Sequence, residues 1–162
     1  MEIERKYTVK ELPAKLQNYP SHLIEQGYLN THPVVRIRRS DDDYYLTYKG
    51  SGMIAREEYN LALNKESYEH LLPKCDGNII RKRRYLIPLK NPRFTEGFVP
   101  ANDLHLTIEL DIFEGIFAPL IIAEIEFPDE ATADALLMPD WFSEDVSLNK
   151  EYHNSHLARK VF

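Results

Sequence analysis

Residues 2–7 read EIERKY, and every second position in this stretch carries a charge: Glu2, Glu4 and Lys6. Side chains at positions i and i+2 of a β-strand lie on the same face. The stretch therefore predicts a strand that presents two carboxylates and one ammonium group on a single face. If other strands repeat this arrangement, the face is part of a site and not only a solvated surface.

Strand patterns dominate the rest of the chain. Alternating or β-branched segments bounded by Gly, Pro, Asn or Asp occur at 2–9, 22–29, 34–39, 43–49, 55–62, 79–88, 104–113 and 120–127. Helical patterns are fewer and fall at 13–19, at 64–75 behind Asn64, at 129–137 behind Asp129, and after Asn149. We expect a single α+β domain over residues 1–162, with an antiparallel sheet and a few helices.

The predicted strands share one feature, a polar face that carries charges of mostly one sign in each strand. Basic pairs are Arg36 with Arg38 and Lys82 with Arg84, and acidic pairs are Glu109 with Asp111 and Glu124 with Glu126. Any single pair is more typical of a solvated face than of a site. A surface that serves solubility usually intersperses the two signs, however. The set as a whole favours a binding site.

An antiparallel sheet of about eight strands can close into a barrel whose interior holds side chains or one small ligand. We expect a closed eight-stranded antiparallel β-barrel with the helices packed outside and the charged face inside. Buried unpaired charges are costly, so such a tunnel needs an occupant. Carboxylates suit Mg²⁺ or Mn²⁺, and arginine and lysine suit phosphate oxygens. A metal-bound polyphosphate satisfies both sets of charges.

Composition excludes several other classes. The net charge of −6 argues against a nucleic-acid coat, and no apolar run approaches the length of a membrane span. The charged residues at the start of the chain differ from a signal peptide, and the single Cys75 cannot form an intrachain disulfide. We therefore expect a cytoplasmic protein whose partner is a small molecule and neither nucleic acid nor membrane.

The residues also resemble a known family. MEIERKY resembles the ExExK signature of CYTH proteins, also called triphosphate tunnel metalloenzymes. The likeness continues in the same order through EQGYL, VVRIRRS, YYLTYKG, REEY, KRRYLIP, IELDIFEG, AEIEF and EDVSLNKEYHNSHLA, and so covers essentially the whole chain. The resemblance implies an eight-stranded tunnel barrel, a divalent metal and a substrate that contains a triphosphate. Members of the family can form dimers, so a homodimer stays open.

The resemblance also assigns roles to individual residues. It implies metal binding by Glu2, Glu4, Asp111, Glu124 and Glu126. It implies triphosphate binding by Lys6, Arg36, Arg38, Lys49, Lys82 and Arg84. Supporting roles fall to Arg56, Glu58, Glu109 and Lys150, and catalysis is expected to depend most on Glu4, Lys6, Arg38 and Glu126. Asn60 stands where many relatives carry a second acid.

Hydrolysis of inorganic triphosphate to diphosphate and phosphate is the first expectation, because phosphoryl transfer needs charge neutralisation more than covalent help from the protein. The resemblance also leaves open a class IV-type adenylate cyclase and a thiamine triphosphatase. A non-hydrolytic module that binds polyphosphate or nucleotides is a further alternative. The carboxylates argue against that module, since an anion binder gains nothing from acids that face its ligand.

Overall fold

The computed structural model describes all 162 residues. It contains one ten-stranded antiparallel sheet and three short α-helices. The strands are β1 (Glu2–Val9), β2 (Ser21–Thr31), β3 (Val34–Ser40), β4 (Asp43–Lys49), β5 (Ala55–Arg56), β6 (Glu58–Leu63), β7 (Asp76–Pro88), β8 (Thr107–Phe113), β9 (Ile121–Glu126) and β10 (Phe142–Asp145). The helices are α1 (Lys65–Leu71), α2 (Glu130–Ala135) and α3 (Asn154–Leu157). None of the helices is long and apolar enough to cross a membrane.

The sheet curls into a nearly closed barrel. Its order is β10-β1-β9-β8-β7-β2-β3-β4-β6, and β5 pairs with β1. The pairing of β5 with β1 is the seam that closes the barrel. It joins Glu2 to Arg56 and Ile3 to Ala55, and the amide of Glu4 donates to the carbonyl of Ile54 at 3.1 Å. The predicted α+β fold with an antiparallel barrel is confirmed.

The sheet has ten strands and not the predicted eight. The two additional strands, β5 and β10, result from pairing with β1. The segment 55–62 is interrupted at Glu57, whose carbonyl accepts from the amide of Gly50 at 3.0 Å. That break turns β5 toward β1 and leaves β6 paired with β4. The polar strand β10 exists only because it pairs with the end of β1, where Tyr7 lies opposite Asp145.

Helix starts were predicted better than element ends. Asn64 caps α1 by accepting from the amide of Ser67, and Asp129 caps α2 by accepting from the amide of Thr132, both at 2.7 Å. Both helices end earlier than expected, α1 at Leu71 before a 3₁₀ turn and α2 at Ala135. The predicted helix at 13–19 is only a 3₁₀ turn at Leu16–Asn18, and β8 begins at Thr107 and not at residue 104. Bridging and packing by neighbouring segments, as between Phe94 and Leu136, override the local pattern there.

The inward face of the barrel changes in character along its axis. Toward one end it is apolar, where Val34, Phe113 and Ile122 pack with Leu157 and Ala158 of the C-terminal segment. Two residues further along the same strands, the inward side chains are Arg36, Asp111 and Glu124, all buried. The outward side chains of β1, β8 and β9 pack in a second apolar cluster with the helix α2 and the 89–106 connection. The polar interior therefore has one filled end.

Candidate active site

A polar cavity of about 340 Å³ lies inside the barrel. Of the 18 residues that line it, only Tyr28 and Val34 are hydrophobic. The lining includes six carboxylates and six basic side chains: Glu2, Glu4, Glu58, Glu109, Glu124 and Glu126 with Lys6, Arg36, Arg38, Lys49, Arg56 and Arg84. The charged face that alternation predicts on the strands is thus brought together in one site.

Strand register places acids beside acids on one wall. Glu4 on β1 lies directly opposite Glu126 on β9, and Glu109 on β8 lies opposite Glu124. Like charges in directly opposed positions destabilise a sheet unless something of opposite sign separates them. Partial burial raises the pKa of Glu126, and the neighbouring carboxylates Glu2 and Glu109 raise it further.

A second pair of acids meets at the seam of the barrel. Burial and a hydrogen bond with Glu58 raise the pKa of Glu2, although the Lys49 ammonium lies only 2.7 Å from its Oε1. Burial also acts to raise the pKa of Glu58, but the contact with Glu2 and the charge of Lys49 hold it below its ordinary value. The two acids place like charges close together at the seam, and a divalent cation would neutralise them.

Lys6 links the two acidic strands. Its Nζ lies 2.7 Å from Glu124 Oε1 and 3.6 Å from Glu4 Oε1. Burial acts to lower the pKa of Lys6, but Glu124 and Glu4 outweigh it and raise the pKa. Burial acts to raise the pKa of Glu124, and Lys6 and Arg84 hold it well below its usual range. Both groups are therefore charged at neutral pH.

Asp111 and Lys82 lie behind the cavity wall and not in its lining, which differs from the expectation that they contact metal and triphosphate. Arg84 donates from Nε to Asp111 Oδ1 at 2.7 Å and from Nη2 to Oδ2 at 2.9 Å. Lys82 Nζ lies 2.7 Å from the same Oδ2. Burial lowers the pKa of Lys82 to about 7. Because both carboxylate oxygens are engaged, Asp111 orients Arg84, which does line the cavity.

The basic wall contains arginines that form no ion pair. Arg36 and Arg38 are 5% and 7% exposed, and their only side-chain acceptors are Thr47 Oγ1 at 3.0 Å and Gln26 Oε1 at 2.8 Å. Arg36 Nε is buried with no hydrogen-bond partner. Burial, followed by the charge of Arg38, lowers the pKa of Arg36. Two nearly buried guanidinium groups side by side have the chemistry that suits a phosphate anion.

The carboxylates fit a divalent cation by their chemistry. No three His, Cys, Asp or Glu side chains of the chain converge into a ready-made metal site. Glu126 and Glu58 nevertheless have no ion pair, and Glu4 has only the 3.6 Å contact with Lys6. These hard oxygen donors face one cavity in an arrangement of like charges, which is the kind of donor set that Mg²⁺ and Mn²⁺ prefer.

Several lining residues carry no charge and were not predicted. The C-terminal segment contributes His153, Asn154 and Ser155. His153 is buried and donates from Nε2 to the carbonyl of Ser147 at 2.9 Å, and burial lowers its pKa. Asn154 Oδ1 accepts from Lys82 Nζ at 3.1 Å. No periodicity marks these residues, because His153 precedes the one-turn helix α3 and Asn154 and Ser155 form its start.

Gln26 and Thr47 were assigned no role, although alternation is a signal here and places Thr47 on the same strand face as Lys49. Both are fully buried, and both occupy the inward alternation of their strands. A search for charged pairs passes over them, whereas a search for any polar residue at i, i+2 spacing would find them. The remaining predicted position, Lys150, is exposed and lies outside the cavity, in a surface hollow beside Arg5 and Asp145.

Known proteins resemble this chain in sequence and in structure. Residues 1–157 match the family described as the CYTH domain. An inorganic triphosphatase of Nitrosomonas europaea is 34% identical over 164 residues, covering 99% of this chain and 98% of that protein. One from Acetivibrio thermocellus is 34% identical over 165 residues, covering 99% and 95%. The crystal structure of an inorganic triphosphatase superposes with a TM-score of 0.70 at 30% identity, over 99% of this chain and 96% of the other.

Proposed function

Because the chain belongs to the CYTH domain family, we propose that it hydrolyses inorganic triphosphate to diphosphate and phosphate inside the polar cavity. One observation carries the proposal: arginines without ion pairs and carboxylates without ion pairs line the same small cavity. A polyphosphate that carries a divalent cation offers oxygens to the arginines and positive charge to the acids. Two similar proteins named inorganic triphosphatase support this choice.

The lining also favours a substrate without an organic part. A site that holds a nucleobase or a thiamine ring is expected to offer apolar or aromatic walls. Only Tyr28 and Val34 among the 18 lining residues are hydrophobic, and Val34 belongs to the apolar cluster at the filled end. Inorganic triphosphate fits such a polar lining better than ATP or thiamine triphosphate.

The basic side chains of the cavity bind the substrate. Arg36, Arg38 and Arg56 donate charge-assisted hydrogen bonds to phosphate oxygens and stabilise charge on the departing diphosphate. Three further cations complete the set from the same cavity: Lys6, Lys49 and Arg84. Lys82 and Asp111 contribute from behind the wall, because their contacts hold Arg84 in place.

The acidic wall holds the divalent cation and handles the proton. Glu2, Glu4, Glu124 and Glu126 are the proposed ligands for Mg²⁺ or Mn²⁺, and Glu58 and Glu109 support them. The bound cation would neutralise phosphate oxygens and make water more acidic. The oxygen of a water molecule bonds to the terminal phosphorus while the phosphorus–oxygen bond to diphosphate breaks. Glu4 or Glu126 accepts the proton of that water.

The direct test compares substrates and metals. We expect phosphate release from inorganic triphosphate with magnesium or manganese, little release from ATP or thiamine triphosphate, and none in chelator. Formation of cyclic AMP and diphosphate from ATP would show that the enzyme is a cyclase instead. Tight triphosphate binding without turnover would show a binding module.

A substitution on the acidic wall tests the metal assignment. Glu126→Gln keeps size and hydrogen bonding but removes the charge, so we expect at least about a 100-fold loss of metal-dependent turnover with the fold retained. Glu114→Gln is the matched control, because Glu114 is exposed and lies outside the cavity. Activity assays with increasing magnesium and circular dichroism check both variants. Full activity of Glu126→Gln at low magnesium would exclude Glu126 from the metal site.

A further inference from the structure

Gln26 is an uncharged side chain buried behind the cavity lining, in contact with the lining residues Arg38 and Tyr28. It lies on β2 directly opposite Arg38 on β3, and it is 0% exposed. Its Oε1 accepts from Arg38 Nε at 2.8 Å, and its Nε2 donates to the hydroxyl of Tyr28 at 3.2 Å. A buried amide with both ends engaged has a defined orientation, and it passes that orientation to the guanidinium.

Arg38 is held differently from the inward lysines Lys6 and Lys49 and from Arg84. Lys6 is held by Glu124 and Lys49 by Glu2, each at 2.7 Å. Arg84 is held by two hydrogen bonds to Asp111. An amide oxygen orients a guanidinium without neutralising it, whereas a carboxylate pairs with it and competes with phosphate for the same N–H groups.

The same device recurs at the neighbouring arginine. Arg36 donates from Nη2 to the hydroxyl of Thr47 at 3.0 Å, and that hydroxyl donates to Asn60 Oδ1 at 2.5 Å. Neither acceptor carries a charge. Arg36 and Arg38 are therefore anchored by neutral groups, while Lys6, Lys49 and Arg84 are anchored by acids.

We propose that Gln26 is a positioning residue for triphosphate binding. It fixes Arg38 through one N–H group and leaves the charge and the Nη1 and Nη2 groups of this guanidinium available for phosphate oxygens. Nη1 and Nη2 donate to no acceptor of the chain, and Arg38 lines the cavity. The inference rests on the proposed function, because it assumes that the anion bound by Arg38 is triphosphate.

The test converts the amide into a carboxylate of the same size. In Gln26→Glu the new charge pairs with Arg38, so we expect thermal stability to be kept or raised while the KM for triphosphate with magnesium rises roughly tenfold or more. Gln26→Met keeps the charge of Arg38 but loses its anchor, and its KM should lie between those of the parent and Gln26→Glu. Gln17→Glu makes the same charge change at an exposed position and should leave the KM unchanged.

The outcomes separate the inference from the proposed function. If the parent chain neither binds nor hydrolyses triphosphate, the proposed function fails. If the parent is active and Gln26→Glu folds with an unchanged KM, the positioning role is overturned. A fall in kcat and stability with constant KM would also overturn it, since that is the result of a packing defect. Should Gln26→Glu not fold, a Gln26→Met enzyme with the KM of the parent overturns the proposal.

Discussion

Arg36 illustrates how a residue of the proposed triphosphate site can destabilise the protein without ligand. Its guanidinium is buried, Nε has no acceptor, and Arg38 adds a second positive charge beside it. An unsatisfied buried donor costs roughly 1–3 kcal/mol, more when the group is charged. The chain tolerates this cost at a place where an anionic ligand would remove it.

We expect Arg36→Met to separate stability from function. The variant should be about 1 kcal/mol more stable, because it removes an unsatisfied buried donor and a like-charge contact. It should raise the KM for triphosphate by about 10- to 100-fold, because charge-assisted hydrogen bonds to phosphate are lost. Urea unfolding and steady-state kinetics measure the two effects.

Arg39→Met serves as the control for that experiment. Arg39 lies three residues further along the same strand and points outward, where its side chain is 45% exposed. Little change is expected in either quantity. A loss of stability in Arg36→Met, or a KM equal to that of Arg39→Met, would show that Arg36 does not bind triphosphate at the expense of stability.

At the scale of elements, the C-terminal segment closes one end of the barrel. Leu157 and Ala158 belong to the apolar cluster that fills this end. His153, Asn154 and Ser155 of the same segment line the cavity. The segment is docked on β7 by a hydrogen bond from the amide of Asn78 to the carbonyl of Ala158 at 2.6 Å. Gly77 precedes that contact with a φ of 71°, and a Cβ there would collide with the carbonyl oxygen of Ala158.

Gly77→Ala should therefore loosen the segment and reach the active site. The control is Gly115→Ala, because Gly115 has a similar φ of 66° but nothing within 4 Å of an added Cβ. Both changes carry the roughly 1–2 kcal/mol cost of a left-handed backbone, and Gly77→Ala should lose about 1–3 kcal/mol more through the collision.

Urea unfolding and triphosphate hydrolysis should report Gly77→Ala together. We expect its activity to fall because His153, Asn154 and Ser155 line the cavity from the displaced segment. Gly115→Ala should keep full activity. Equal effects of the two substitutions on stability would mean that the docking at Ala158 contributes nothing.

For the molecule as a whole, closure of the barrel is uneven. The seam between β1 and β5 has two residue pairs, whereas β3 and β4 are joined by seven. The seam nevertheless carries Glu2 and Arg56, which line the cavity from opposite sides of it. Short pairing at an edge is the part of a sheet that opens most easily.

Hydrogen exchange tests this description of the seam. In the protein without ligand, amides in residues 54–56 should exchange at least about tenfold faster than those in 35–39. A tenfold difference corresponds to about 1.4 kcal/mol in opening free energy. Peptide-level mass spectrometry resolves the two regions. Equal protection would show that contacts other than the two seam pairs hold the barrel shut.

Much of this architecture could be predicted locally. Alternation in 2–7, 34–39 and 120–127 assigned each charged side chain to a face, because in a strand the backbone itself sets the direction of successive side chains. The same rule predicts that Glu4, Lys6, Arg38 and Glu126 share the polar strand face, and all four line the cavity. The caps at Asn64 and Asp129 were equally local.

The sequence by itself determined which charged side chains of each strand share a face and that the strands form an antiparallel sheet, since each follows from the period of a single strand and its turns. Closure of that sheet into a barrel depends on the pairing of β1 with β5. Only the tertiary structure decided how those charges are paired. Asp111 is taken up by Arg84 and Lys82, Arg36 is left without an acid, and His153 enters the cavity from the far end of the chain. Pairing depends on the register between segments up to about 120 residues apart, such as Lys6 with Glu124, and no local pattern encodes it.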